Sequence, residues 1–121
     1  MALKLSSRQQ AQMAFLEPYG RQIVSMGSLI EQMASPKADE QLGRNLLRQS
    51  SASKTQAQGL GLTRLADAIG AIETATRRTG GGMSKFRTLR ELYQMLKINY
   101  EAAVKAASTV VAHAEEEPAA P

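Results

Sequence analysis

A chain of 121 residues, 43% of them hydrophobic, has room for one domain with a modest core. It carries no Cys and a single His, which excludes disulfides, thiolate zinc sites, cysteine nucleophiles and a multi-histidine metal centre. The formal charge of +4 conceals an asymmetry: three of the eleven acids are Glu115, Glu116 and Glu117, so residues 1–112 hold fifteen bases against eight acids, a net of +7 that favours an acidic partner.

Trp is absent and other aromatics are few, so the core must come from Leu, Ile, Met, Val and Ala, the palette of a helical bundle. No apolar run approaches the roughly 18 residues of a membrane span. The opening Met-Ala-Leu-Lys-Leu-Ser-Ser lacks the apolar stretch of a signal peptide, and the expected address is cytoplasmic.

Ser6 and Ser7, each with Gln three residues on, offer overlapping capping boxes, and Arg8 to Leu16 reads as a short helix. Pro18, lacking a backbone donor, is expected to break it. From Tyr19 a second helix follows, with Tyr19, Ile23, Met26, Ile30 and Met33 on one apolar face. Ser35-Pro36 then serves as N-cap and first turn of a third helix, about Lys37 to Gln58, roughly 30 Å long at 1.5 Å per residue. Its inward line starts on Leu42, Leu46 and Leu47 but continues through Gln49 or Ser50, Ser53 and Ala57. Small residues there permit close helix approach, and a buried Gln49 or Ser53 needs a hydrogen-bond partner.

Gly59-Leu60-Gly61 stops that helix, either glycine being able to take the left-handed C-cap conformation. Leu62, Leu65, Ala66, Ile69 and Ile72 make a fourth helix ending near Arg77 or Arg78, and Thr79-Gly80-Gly81-Gly82 a flexible linker. Ser84, or Thr88 in a Thr-x-x-Glu box with Glu91, opens a long last helix whose inner line is Leu89, Leu92, Leu96, Tyr100, Ala103, Ala107 and Val110, with Tyr93, Val104 and Val111 beside it. The expected domain spans 1–112, followed by an acidic Ala/Pro tail over 113–121.

The chemistry is sparse. His113 lies at the start of the tail and reads as solvated. Asp39, Glu40, Asp67 and Glu73 have no sequence context that raises a carboxyl pKa for acid–base work, and a serine nucleophile lacks a base. A basic balance without aromatics among the bases from Arg44 to Arg64 disfavours nucleic acid. No cofactor, metal site or membrane contact is expected, and a homo-oligomer remains open.

The stretch Ser51-Ala52-Ser53-Lys54-Thr55-Gln56-Ala57-Gln58-Gly59-Leu60-Gly61, followed by Leu62-Thr63-Arg64-Leu65-Ala66, resembles the signature of histidine phosphotransfer (HPt) domains: His-x-x-Lys-Gly-x-x-x-x-Leu-Gly, then Leu-x-x-Leu-Ala. Lys54, Ala57, Leu60 and Gly61 match; Ser51 stands for the histidine, Ser53 for an apolar residue and Thr55 for glycine. The helix order is similar too. The resemblance implies an all-α fold, an antiparallel four-helix bundle with a short extra N-terminal helix. It also implies a protein without phosphotransfer activity, since a hydroxyl without a base is a poor nucleophile. The partner so implied is a receiver domain or histidine kinase in two-component signalling. It would dock on the stripe Arg44, Arg48, Ser51, Thr55 and Gln58, with Lys54 beside Ser51. The rival readings are a general helical adaptor or chaperone and, less favoured, a basic nucleic-acid binder.

Overall fold

Ser6 caps the first helix: its side chain accepts from the Gln9 backbone at 3.1 Å while the Gln9 amide oxygen accepts from the Ser6 backbone at 2.9 Å, so the first of the two capping boxes forms. In the computed structural model, which describes residues 5–34, 40–78 and 82–109, this cap opens one unbroken helix, α1 (Ser7–Gln32). The expected break at Pro18, and with it the separate short N-terminal helix, is not present. Pro18 and Ala14, whose carbonyl the proline leaves without its helical donor, are both exposed, so water can serve that carbonyl. Leu16 and Tyr19 on either side are buried, and their packing opposes the roughly 3 kcal/mol that an interior proline costs.

Three more helices follow: α2 (Glu40–Gly59), α3 (Thr63–Arg77) and α4 (Gly82–Ser108), with no strand among the described residues. The α2–α3 turn settles which glycine caps. Gly61 has φ +76°, the Leu62 amide reaches back to the Ala57 carbonyl at 2.9 Å and the Gly61 amide to Gln58 at 3.1 Å, a Schellman arrangement that favours glycine at this position. The Arg8 guanidinium lies where a side chain at position 61 would project. The last helix starts earlier than its polar residues suggested. Thr88 is no cap, because its hydroxyl bonds back to the Ser84 carbonyl at 3.1 Å inside the helix, and the earlier start brings Phe86 into the core. Ser35-Pro36, the linker residues 79–81, Val110, Val111, His113 and the tail lie outside the described residues.

Each helix packs on its chain neighbours and α4 closes on α1, while among the described residues the backbones of the diagonal pairs α1–α3 and α2–α4 do not approach within 8 Å. Cross-links run antiparallel between α1 and the α2 end of the bundle, Tyr19 to Ser53 and Gln12 to Leu60 just past α2, and between α4 and α1, Tyr100 to Leu16 and Tyr93 to Ile23; Ser51 to Glu73 joins α2 to α3. The core is Leu16, Tyr19, Ile23, Met26 and Ile30 of α1, Leu46 and Ala57 of α2, Leu62 of the turn, Leu65, Ala66, Ile69, Ile72 and Ala75 of α3, and Phe86, Leu89, Leu96 and Ala107 of α4. Four of the five residues expected on the α1 face are buried; Met33, at the helix end, is half-buried.

The α1–α4 seam has a regular geometry. Gly20 and Gly27 are seven apart on α1, Tyr93 and Tyr100 seven apart on α4, and each tyrosine lies over one glycine. A Cβ on Gly27 would clash with the Tyr93 hydroxyl, and one on Gly20 would stand 2.9 Å from the Tyr100 hydroxyl. With no side chain in the way, the Tyr93 hydroxyl donates to the Ile23 carbonyl at 2.9 Å and the Tyr100 hydroxyl to Leu16 at 2.7 Å.

Candidate functional site

The middle of α2 is polar on the face that turns inward. Ser50 and Ser53 are buried, and Ser53 donates to the Gln49 carbonyl at 2.6 Å while accepting from the Tyr19 hydroxyl at 3.3 Å. Burial pushes the Tyr19 phenol up to about 12, with the Ser53 contact pulling the other way, so it stays a donor. The Ser50 hydroxyl and Gln49 Oε1 have no partner among the described residues. Small side chains at Ser50, Ser53 and Ala57 let α3 approach closely, and α2 with α3 is the most extensively packed pair in the bundle.

That approach brings Glu73 of α3 against Ser51 and Lys54 of α2. Ser51 donates its hydroxyl to Glu73 Oε2, Lys54 Nζ lies 2.6 Å from Glu73 Oε1, and Arg77 one turn further reaches Oε2 at 3.3 Å. The Lys54 stem crosses Gly70, where a Cβ would stand 3.3 Å from its Cδ. The hydrogen bonds from Lys54 and then Ser51, joined by the charges of Lys54 and Arg77, outweigh the desolvation of a buried carboxylate and hold Glu73 at about 2, below its ordinary 4.5. Such a group is a weak base.

Of the six residues expected on the docking stripe, Arg44, Arg48, Thr55 and Gln58 are exposed, and Ser51 and Lys54 are half-buried. Arg44 is tied along its own helix to Glu40 at 3.6 Å and to Gln41 at 3.1 Å. Thr55 donates to the Ser51 carbonyl at 3.1 Å. Arg48 makes no ion pair among the described residues. Lys54 is turned toward α3 and not outward, so the stripe's free charge rests on Arg48 more than on Lys54.

Glu73, considered from the sequence only as a possible acid–base group, is the residue whose cross-helix role sequence reasoning missed. The run from Glu40 to Asp67 is acid-free along the chain, but the fold brings an acid from the next helix onto it. The signal was its place on α3: Glu73 falls four residues after Ile69, on the buried stripe, where a lone carboxylate needs cationic partners.

Among the described residues no group of three or more His, Asp or Glu could hold a metal, and no helix is long and apolar enough to cross a membrane. A hollow of about 300 Å³ between α1 and α4 is lined by residues that include Gly27, Glu31, Arg90 and Tyr93. Arg90 and Glu31 form an exposed ion pair at 3.3 Å there. No family model matches the chain, no curated protein matches its sequence, and no solved structure matches it.

Proposed function

We propose that the chain is a non-catalytic protein-binding domain, an HPt-like bundle without the phosphorylatable histidine, that docks on a receiver domain or histidine kinase through the outer face of α2. The observation that carries this reading is the condition of Ser51. By the sequence resemblance it stands for the HPt histidine, and its hydroxyl is spent on a carboxylate with low proton affinity. Glu73, held at low proton affinity by its partners, is not a base for Ser51, so phosphoryl transfer through this position is unsupported. Around it Arg48, Thr55 and Gln58 stay exposed, and a cation flanked by small polar residues complements the carboxylate-ringed pocket of a receiver domain. The same reading sets the protein in the cytoplasm, with no enzyme activity and no cofactor.

The test is binding of the purified chain to a panel of receiver domains, with and without phosphorylation. Arg48→Glu is expected to weaken binding several-fold and Arg21→Glu, an exposed reversal on α1, to leave it unchanged. Equal loss in both variants reduces the attraction to net charge and removes the α2 face. Transfer of label from a phosphorylated receiver to this chain overturns the non-catalytic reading.

A further inference from the structure

The inward residues of α4 leave a second stripe directly opposite them. Glu91, Met95, Ile98, Ala102 and Lys105 recur at spacings of four, three, four and three, the period at which one helix faces another, and all five are exposed. Met95 is 51% and Ile98 58% exposed, so the centre of the stripe is apolar surface that the bundle leaves uncovered. At its two ends stand opposite charges, Glu91 and Lys105, each seven residues from Ile98. Neither takes part in an ion pair among the described residues, although Arg87 and Glu101 lie one turn away on the same helix.

This symmetry selects an occupant. Two copies of the stripe laid antiparallel about a two-fold axis at Ile98 bring Glu91 of each against Lys105 of the other, with Met95, Ile98 and Ala102 between. A parallel arrangement would oppose Glu to Glu and Lys to Lys. We propose that the outer face of α4 is a self-association surface, on which a second copy of this chain packs antiparallel with Ile98 at the two-fold axis. The contact is isologous, as two-fold dimers require. From Glu91 to Lys105 it spans about 21 Å at 1.5 Å per residue. One helix pair of that length falls below the roughly 1,200–2,000 Å² of a standard interface, so the dimer is weak and forms with rising concentration. Because α4 and α2 are diagonal in the bundle, pairing through α4 leaves the outer face of α2 uncovered, and the two surfaces stand or fall separately.

The chain has no cysteine, which permits a direct test of register. One preparation carries Glu91→Cys and another Lys105→Cys. In the mixed antiparallel dimer the two thiols meet at one end while the native Glu91–Lys105 pair remains at the other. On mild oxidation the mixture is expected to give the mixed disulfide about tenfold over either self-linked product. Equal yields, or self-linked products in excess, overturn the antiparallel register. Sedimentation equilibrium supplies the second reading. The unmodified chain should dimerise at low salt; Glu91→Lys should weaken the dimer by about tenfold, and Glu91→Lys combined with Lys105→Glu should restore it. Ile98→Asp, a substitution at an exposed position, should leave the fold intact and the chain monomeric. A chain that stays monomeric to about 1 mM, or a double reversal that restores nothing, overturns the proposal.

Discussion

Between α1 and α4 the bundle is fastened by rings on bare backbone, Tyr93 over Gly27 and Tyr100 over Gly20, each hydroxyl ending on a main-chain carbonyl. Between α2 and α3 it is fastened by a carboxylate, Glu73, gripped by Lys54, Ser51 and Arg77. The latches of the first seam depend on shape and neutral hydrogen bonds, which salt and acid barely touch, and the exposed Glu31–Arg90 pair beside them adds little. The second depends on charge, and its strength follows the solution. One small bundle thus carries a fixed side and a tunable side, and the tunable side is the one that holds Ser51 and Arg48.

The largest effect is expected on the fixed side. Gly27→Ala drives a methyl into a rigid phenol ring, and we expect a loss of about 3 kcal/mol in chemical denaturation, equal at low and high salt. On the tunable side Glu73→Gln keeps the size and the Ser51 contact but removes the charge. A buried pair broken on one side costs roughly 3–5 kcal/mol, and the partial exposure of Lys54 brings the expected loss to about 2 kcal/mol, shrinking as salt rises.

Acid should separate the seams further. Glu73 binds its proton less readily folded than unfolded, so its contribution is nearly complete above about 4.5, declines as pH falls toward about 2 and vanishes only below that, where both states are protonated. The stability gap between the unmodified chain and Glu73→Gln should therefore close over that window, while the gap to Gly27→Ala stays constant. A gap to Glu73→Gln that is undiminished at pH 2 would assign its cost to packing instead of charge. The smallest effects fall on the serines of α2. Ser53→Ala loses the Tyr19 bond and should cost about 1 kcal/mol, whereas Ser50→Ala deletes a buried hydroxyl without a partner and should stabilise by about 0.5 kcal/mol. Equal responses would mean that Ser50 is satisfied in solution.

What could be read in advance was whatever one helix decides alone. Tyr19, Ile23, Met26 and Ile30 announce a buried face because burial repeats with the turn of the helix, and Ser6 with Gln9 announces a cap because both partners lie within four residues. Pro18 misled because a local penalty was weighed without the burial of its neighbours. The glycine–tyrosine seam was written in both helices as a spacing of seven, but neither half means anything until the register of α1 on α4 is known. At the candidate site the stripe through Arg48 and Ser51 was legible as a face of α2, whereas its electrostatic state was not. The absence of acids nearby in sequence says nothing about an acid that arrives across a helix pair.

The tyrosine latches also bear on the order of events in folding. They join residues 70 and 84 positions apart, whereas Ser51 and Glu73 are separated by only 22. Closing the shorter loop costs less chain entropy, so the α2–α3 hairpin, with its glycine turn, is expected to form the nucleus, and α1 to meet α4 after the rate-limiting barrier. Weakening the latch by Tyr93→Phe should then speed unfolding and leave refolding nearly unchanged, while Glu73→Gln should slow refolding. The two ends of the bundle's chain would be the last to dock and the first to part, which makes the latch, more than the ionic cluster, the determinant of how long a folded molecule lasts.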